Sequence, residues 1–297
     1  MDYISDIHVN AWLDPQGSDH LFSRFASSLL PSDPADILLV GGDLGSHNAL
    51  TVELLGALSE HYKHIVAVLG NHDVYLVGPD EELYATSTEK VEALKADIAA
   101  LDCVTLLDKS SVCIDGITIA GTSGWCDFTY RVDWTDEWEM GKSYYDELAD
   151  LHCISSDFFG FSAKALHSQS FETVACAVRA FAEDQKSALR ELSKNADILL
   201  THYPGNRHLV SPKWERDLGT AFFFMNCSDF GLDKKVWVSG HTHDQYDIMH
   251  KGTRYLNNAY GYPRENPKVS GIKSFEIQHI VIANFLLYRS AEPTGRR

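Results

Sequence analysis

Short apolar runs recur along this chain, and several of them are followed at once by an aspartate, an asparagine or a histidine. Two of the runs cover residues 36–40 and 64–69, and they lead to Asp43 and Asn71. Two later runs end at histidines in the same way. Continuous apolar runs of this kind are typical of strands buried in a parallel sheet, and open α/β sheets bind ligands at the carboxyl ends of such strands. The pattern therefore predicts that polar residues distant in the sequence meet at one sheet edge.

Five short segments supply the polar groups at these positions. Together they offer carboxylates, an amide and several imidazoles, a donor set that suits two divalent metal ions held side by side. Paired metal ions in hydrolytic sites activate water and clamp a phosphate ester. The segments are Asp6-Ile7-His8, Gly42-Asp43, Gly70-Asn71-His72-Asp73, Thr201-His202 and Gly240-His241-Thr242-His243.

The spacing inside the segments fits joint ligation. Asp6 and His8 are two residues apart, so an extended backbone points both side chains to the same face. Asp43 has two carboxylate oxygens and can therefore bridge two ions. Asn71 is a neutral donor, so two divalent ions facing only two carboxylates keep about two positive charges, which attract a phosphate and stabilise its transition state.

The composition restricts the partners. The 297 residues carry a formal net charge of -17, which opposes a long polyanion, whereas a non-specific nucleic-acid binder would show a basic stripe. No apolar run reaches the roughly 18 residues of a membrane span, so we expect no membrane partner. The six cysteines lack metal-binding spacing, and Met1 opens directly on a predicted strand rather than on a secretory leader. We therefore expect a cytoplasmic protein without disulfides.

The order of the predicted elements indicates the α/β class. Strands alternate with helices over the first hundred residues, as in βαβ units, and the last of these helices is predicted as one piece over residues 80–101. The Asp115-Gly116 and Lys251-Gly252 pairs predict hairpins. A long amphipathic helix is predicted over residues 170–194, and a late strand over residues 275–288.

The organisation predicted for the chain is a single domain covering residues 1–297, because the proposed donors come from both ends of the sequence. Residues 122–168 interrupt the regular pattern with an acidic and aromatic segment. An insert of this length is either a cap over a functional site or a packed surface excursion. Both interpretations of this segment stay open from the sequence.

The five segments, in this order and spacing, resemble the calcineurin-like metallophosphoesterase superfamily, and the resemblance spans the core of the chain. It implies a four-layer α/β/β/α sandwich of two mixed sheets flanked by helices. It also implies a dinuclear centre whose metal-bridging hydroxide attacks a phosphate ester, with Asp43 shared by both ions. By this resemblance one ion is bound by Asp6, His8, Asp43 and His243, and the other by Asp43, Asn71, His202 and His241.

The resemblance also assigns catalysis and cofactor. His72 resembles the family's catalytic histidine, which is not a ligand, and we expect it to protonate the leaving oxygen. Asp73 is expected to orient His72, with capping of the next helix as the alternative. Nitrogen and oxygen donors without thiolate suit Mn, Fe, Zn, Co or Ni, and we expect two Mn²⁺ ions.

The substrate is predicted both from motifs of the superfamily that this chain shares and from motifs that it lacks. Protein Ser/Thr phosphatases of this superfamily carry Arg soon after Gly-Asp and Glu after Gly-Asn-His, but this chain has Leu44 and Asp73 at the following positions. Residues 121–128 and 257–267 resemble instead a branch of small bacterial and phage phosphoesterases. We therefore expect a phosphodiesterase acting on a nucleotide-like small substrate. A phosphomonoesterase and a catalytically silent metal-bound scaffold are the alternatives.

Five side chains are candidate substrate contacts. Arg207 follows His202 in a predicted loop together with Asn206 and His208, and an arginine can bind phosphate through two donors. Trp125 and Tyr260 can stack on a base. The alternatives are a solvent-facing loop for the arginine and core packing for the tryptophan.

Overall fold

The computed structural model describes residues 1–13, 19–129, 153–160, 170–215, 217–228, 230, 235–265 and 271–277. Most of the predicted insert and most of the predicted C-terminal strand lie outside these ranges, so both stay predictions. Each helix within the ranges is too short or too polar to span a bilayer. The six cysteines all fall inside the described ranges, where each is a free thiol.

The first sheet holds the amino-terminal strands. Four of its strands are parallel to one another, in the order β1, β2, β3 and β4. Strand β11 pairs antiparallel with the outer edge of β1. Strands β2 and β3 are the buried apolar runs of residues 36–40 and 64–69, and a parallel arrangement with both faces covered explains why they do not alternate with polar residues. The strands are β1 (Asp2–Ile4), β2 (Ile37–Val40), β3 (His64–Ala67), β4 (Val104–Leu106) and β11 (Lys273–Ser274).

The second sheet has six strands in the order β5-β6-β7-β8-β10-β9. Its four central strands are parallel, and a hairpin closes each edge. Asp115 and Gly116 both have positive φ in the first hairpin, as a type I′ turn requires. The predicted hairpins are therefore confirmed. The strands are β5 (Ser110–Ile114), β6 (Ile117–Thr122), β7 (Ile198–Thr201), β8 (Val236–Ser239), β9 (Gln245–His250) and β10 (Thr253–Asn258).

Helices cover the outer faces. The predicted helix over residues 80–101 is wrong as a single piece, because it divides at Tyr84. The side chain of Thr86 accepts a hydrogen bond from the backbone of Glu89, and this cap starts a new helix. The predicted long amphipathic helix is confirmed. The helices are α1 (Asp19–Leu29), α2 (Asn48–Ser59), α3 (Asp80–Leu83), α4 (Ser87–Ala99) and α5 (Phe171–Ser193).

The strands divide their side chains between two hydrophobic layers. In β2, Ile37 and Leu39 join the layer between the two sheets, whereas Leu38 and Val40 join the layer beneath the helices. This alternation follows from the two-residue repeat of a strand. The molecule is therefore an α/β fold of two mixed sheets packed together with helices outside, and the predicted sandwich is confirmed.

A buried lysine ties helix α4 to the loops that follow β2 and β3. The ammonium group of Lys90 donates to the carbonyls of Ser46 (2.8 Å) and Tyr75 (2.5 Å). It also forms an ion pair with Asp80 at 3.2 Å, and both side chains are buried. Asp80 in turn accepts from the backbone of Asn48 at 3.1 Å. One cation thus holds both loops in place, and these loops carry Asp43 and His72.

Removing Lys90 should unfold the protein more easily than removing a surface lysine of the same helix. Lys90→Ala leaves Asp80 buried without its cation, so we expect a loss of about 3–5 kcal/mol in the free energy of unfolding. Lys95 pairs with Glu92 and Asp108 at the surface, and Lys95→Ala should cost about 0–1 kcal/mol. Urea denaturation of both variants measures the difference, and equal losses would contradict a structural role for Lys90.

Candidate metal centre

Five of the seven predicted donors have a left-handed backbone conformation. Asp6, His8, Asp43, His241 and His243 all have φ between 47° and 69°. This region is unfavourable for residues with a Cβ and costs on the order of 1–3 kcal/mol each, so it persists only where the surroundings enforce it. Such strain in five donors of one site indicates that their positions are fixed by the fold.

Backbone hydrogen bonds between the loops enforce these conformations. The amides of Asp6 and His8 donate to the carbonyls of Gly42 and Asp43, each at 3.0 Å. The amide of Gly240 donates to His202 at 2.9 Å. Four of the five ligand segments are therefore joined to a neighbour through main-chain bonds, which places donors far apart in sequence within one cluster.

Two glycines keep the loops close together. A Cβ on Gly70 would collide with the Asp43 carboxylate, and a Cβ on Gly240 would lie 2.6 Å from Asp6 Oδ2. A side chain at either position would push a carboxylate out of the cluster. The glycines of the Gly-Asn-His-Asp and Gly-His-Thr-His segments are therefore needed for the close packing of the donor loops.

The first group of donors comprises Asp6, His8 and His243. The Nε2 atoms of the two histidines are 3.0 Å apart, and Asp6 Oδ1 lies 3.6 Å from Nε2 of His243. One ligand atom from each of the three residues fits within 4.8 Å of the others, close enough for one ion.

The second group comprises Asp43, His202 and His241, whose ligand atoms also lie within 4.8 Å of one another. Asn71 Oδ1 lies 2.8 Å from His202 Nε2, and its amide nitrogen donates to the hydroxyl of Tyr75 at 2.6 Å. The tyrosine therefore turns the carbonyl oxygen of Asn71, rather than its NH₂, toward the donor cluster.

Asp43 lies between the two groups. Its Oδ2 is 3.4 Å from Nε2 of His202 in one group and 4.0 Å from Nε2 of His8 in the other. Its Oδ1 accepts from the backbone of His72 at 2.9 Å. These contacts fix the carboxylate between the two donor groups, and its bridging of two ions stays a prediction. Geometry alone also groups His72 with His8 and Asp43.

Hydrogen bonds at the far ring nitrogens orient two of the imidazoles. His202 Nδ1 is 2.7 Å from the carbonyl of Gly41, and His243 Nδ1 is 2.6 Å from the carboxylate of Glu265. An acceptor at Nδ1 accepts a hydrogen bond from that ring nitrogen and directs Nε2 toward the other donors, which is the arrangement found around metal-binding histidines. Glu265 was not predicted from the sequence, because its contact spans 22 residues of chain.

Burial and charge set the protonation of the cluster. Burial lowers the pKa of His8 and of His241 well below the ordinary value, so both rings are neutral, the form that binds a metal ion. Burial opposes ionisation of Asp43, but the facing His202 and His72 bring the pKa of its carboxyl well below the usual range. Burial also opposes protonation of His202, but Asp43 raises its pKa to about 9. The carboxylate and imidazoles therefore stabilise each other.

The donor set fits divalent metal ions. His241 Nε2 is buried and has no hydrogen-bond partner in the described part of the chain, although a buried polar atom ordinarily has one. A metal ion would supply the missing partner. The surrounding donors are nitrogen and oxygen atoms without thiolate, in agreement with the predicted class of ion.

Ser46, and not Asp73, contacts the ring of His72. The hydroxyl of Ser46 lies 3.0 Å from His72 Nδ1. The carboxylate of Asp73 instead accepts from the backbone amides of Gly70 (2.7 Å) and Asp43 (3.3 Å). The expectation that Asp73 orients His72 is corrected, because its carboxylate turns back to fix the two ligand loops.

The other side of His72 faces an aromatic side chain. Tyr262 stacks on His8 with ring centroids 4.3 Å apart, and its hydroxyl lies 3.4 Å from His72 Nε2. Tyr260, the predicted contact, packs instead against Trp12 and Phe25. Gly261 between the two tyrosines has a φ of 71°, and the backbone turn at this glycine directs their rings to different neighbours.

An open cavity of about 620 Å³ adjoins the donors. His72 and His241 line it beside the metal centre, and Lys213, Trp214 and Phe223 also line it. Trp214 (45% exposed) and Phe223 (37% exposed) present aromatic surface there. Neither aromatic residue was singled out by the sequence.

Trp125 does not reach this cavity. Its side chain is 1% exposed and packs among Phe158, Phe159, Phe181 and Tyr203. The stacking role is therefore corrected in favour of core packing, the alternative considered from the sequence.

The predicted contacts Asn206, Arg207 and His208 line a different cavity. Asn206 is buried, accepts from the backbone of His208 at 3.0 Å and donates to Tyr255 at 3.3 Å. These bonds begin a turn that directs Arg207 and His208 away from the metal centre. Their assignment as contacts to the reacting phosphate is corrected, because they line this cavity and not the one beside the metal donors.

Comparisons with known proteins agree with this geometry. A family model described as calcineurin-like phosphoesterase matches residues 2–245. Phosphopantetheinyl hydrolase from Mycobacterium tuberculosis superposes with a TM-score of 0.66 at 18% sequence identity, over 92% of this chain and 94% of that chain. A Staphylococcus aureus protein described as a candidate 5′-nucleotidase aligns with a TM-score of 0.40 at 13% identity, over 93% of this chain and 50% of that chain. A search of curated proteins found no significant match.

The first structural likeness supports the fold, whereas the second is too distant to carry an argument. The family match covers most of the chain and includes every predicted metal donor from Asp6 to His243. The chain therefore belongs to the calcineurin-like phosphoesterase family, and it is a phosphoester hydrolase.

Proposed function

We propose that the protein is a dinuclear metal-dependent phosphodiesterase acting on a small, nucleotide-like ester. The observation that carries the dinuclear centre is the position of Asp43, whose Oδ2 faces His202 on one side and His8 on the other. A shared carboxylate between two donor groups is the arrangement that holds two ions next to each other.

Each ion has a proposed set of ligands. Asp6, His8, Asp43 and His243 would hold one ion, and Asp43, Asn71, His202 and His241 the other, with Mn²⁺ as the proposed metal. Bound ions would activate a water molecule and neutralise charge on the phosphate. The remaining steps depend on side chains of this chain.

His72 is the proposed general acid. Ser46 Oγ lies 3.0 Å from Nδ1, so a protonated ring can donate there and keep its Nε2 proton available for the leaving oxygen. Stacked Tyr262 limits rotation of the neighbouring His8 and closes this side of the cavity. Asp73 supports the same step indirectly, because it fixes the loops of Asp43 and Gly70.

The cavity supports a diester of moderate size. A volume of about 620 Å³ falls within the range of small-molecule sites. Trp214 and Phe223 offer aromatic surface for a planar group, and Lys213 lies 5.0 Å from the centre of the Trp214 ring. Stacking on such a residue contributes about 1–3 kcal/mol per base. A phosphomonoesterase on the same scaffold is the second candidate.

Metal stoichiometry tests the bridging role. The wild-type chain should bind two Mn²⁺ ions, and Asp43→Asn should lose metal and activity together, because both donor groups share that carboxylate. Metal analysis after gel filtration gives the count, and His208→Gln serves as a control because it lies in the other cavity. A fully loaded and active Asp43→Asn variant would refute the proposal.

Loss of His72 should affect the rate more than the metal content. His72→Ala should lower kcat by about 10²–10⁴, the usual contribution of a general acid, while both ions stay bound. Steady-state kinetics and metal analysis of one sample separate the two roles. A lower metal count would make His72 a ligand, as its grouping with His8 and Asp43 also permits.

Ser46→Ala provides the matched control for His72. It removes one hydrogen bond to the ring and leaves the imidazole in place, so we expect a loss of about tenfold at most. A loss as large as that of His72→Ala would assign Ser46 a direct role.

Substrate preference tests the diester assignment. Metal-loaded protein should hydrolyse bis-p-nitrophenyl phosphate faster than p-nitrophenyl phosphate, and Trp214→Ala should raise KM more than it lowers kcat for nucleotide diesters. A panel of cyclic nucleotides, dinucleotides and simple monoesters identifies the class. A strong preference for the monoester would replace the first candidate by the second.

A further inference from the structure

A second cavity of about 360 Å³ lies on the other side of Phe224 from the metal centre. Phe224 borders both cavities and is itself buried, so it forms a wall between them. The second cavity is lined by Asn206, Arg207 and His208, which the sequence predicts as substrate contacts. Its chemistry therefore needs an explanation separate from the hydrolytic site.

Basic side chains surround this cavity. Arg207 and His208 come from the short turn after β7, and His250 and Lys251 come from the hairpin between β9 and β10. The described residues of its lining include amides and hydroxyls but no carboxylate. In a chain with a net charge of -17, a lining of this kind is a local reversal of charge.

The salt bridges of the described residues do not include these basic groups. Within the described ranges, Arg207 and Lys251 form no ion pair. Burial, with His250, Arg207 and Lys251 close by, lowers the pKa of His208. Positive charges that lie close together disfavour one another unless an anion lies between them.

Two imidazoles face each other in this cluster. The rings of His208 and His250 lie with centroids 4.1 Å apart at an angle of 35°. His250 Nε2 is buried and has no hydrogen-bond partner in the described part of the chain. A buried polar atom of this kind ordinarily has a partner, and a ligand in the cavity would supply one.

The turn that carries Arg207 is fixed in advance. Asn206 accepts from the backbone of His208 and donates to the hydroxyl of Tyr255 on β10. This contact joins the two elements that supply the basic groups. The cluster is therefore held together by the fold before any ligand arrives, which lowers the entropic cost of binding.

We propose that this second cavity binds the phosphate group of a small molecule at a site separate from the metal centre. Arg207 supplies a planar pair of donors suited to phosphate oxygens, and Lys251 supplies a point charge. His250 Nε2 and His208 add ring donors on the same side. The volume of about 360 Å³ admits a small phosphorylated molecule.

Inorganic phosphate is the probe for this site. Calorimetric titration of the metal-loaded full chain should show a saturable binding event that the double variant Arg207→Gln, Lys251→Gln weakens at least tenfold. The double variant Lys63→Gln, Lys95→Gln removes the same charge from elsewhere on the surface and should leave that event unchanged. Equal weakening in both double variants, or no saturable event, would overturn the proposal.

The Asp43→Asn variant separates the two sites. Phosphate binding in the second cavity should persist there, because Asp43 belongs only to the metal centre. Phosphate should also raise the pKa of His208, since a nearby anion favours the imidazolium form. Histidine-resolved NMR titration of this variant, assigned with His208→Gln, measures that shift. An unchanged His208 at saturating phosphate would contradict the site.

Kinetics distinguish a free ligand from a remote group of the substrate. With bis-p-nitrophenyl phosphate and no added phosphate, Arg207→Gln, Lys251→Gln should leave kcat and KM unchanged. If the bound group belongs to the substrate, KM should rise at least tenfold for diesters that carry an additional phosphate. If it belongs to a free ligand, KM for those diesters should also stay unchanged while phosphate binding is lost.

Discussion

The left-handed backbone of the donor residues is the constraint on which the site depends. Asp6, His8, Asp43, His241 and His243 adopt it together, at a cost of roughly 1–3 kcal/mol each. The loops tolerate it because main-chain hydrogen bonds connect them, and because the apolar layer between the sheets fixes the strands from which they emerge. The stability of the hydrophobic core therefore maintains a loop conformation that the isolated loops would not keep.

The buried charges of the cluster require the same rigidity. Asp6 and Asp43 are almost inaccessible to solvent, and a buried carboxylate is unfavourable unless cations or donors surround it. His202 and His243 face these carboxylates, and Asp6 also accepts from the backbone of His241. Lys90 reinforces the arrangement from beneath, because it holds the two loops that carry Asp43 and His72.

The sequence predicts those parts of the fold and site that depend on local pattern. Buried runs identify the central strands, and polar residues at their ends identify the donors that the structure brings together. Contacts between residues far apart in the sequence cannot be predicted in this way. Tyr262 contacts His72 across 190 residues of chain, and Ser46 contacts the His72 ring where Asp73 was expected. The break at Tyr84 was missed because helix propensity over residues 80–101 outweighed the signal of one capping threonine, Thr86.

The loop after His202 shows why proximity in sequence does not give direction. Its turn at Asn206 sends Arg207 to one side of Phe224, and the chain then returns so that Lys213 and Trp214 line the other side. The net charge of -17 repels anions at a distance, but screening confines that effect to about 8–10 Å in physiological salt. Attraction of a phosphate therefore depends on groups that line the cavity itself. A single loop can then serve two anion sites, because the buried wall between them, rather than distance along the chain, decides which charges each anion meets.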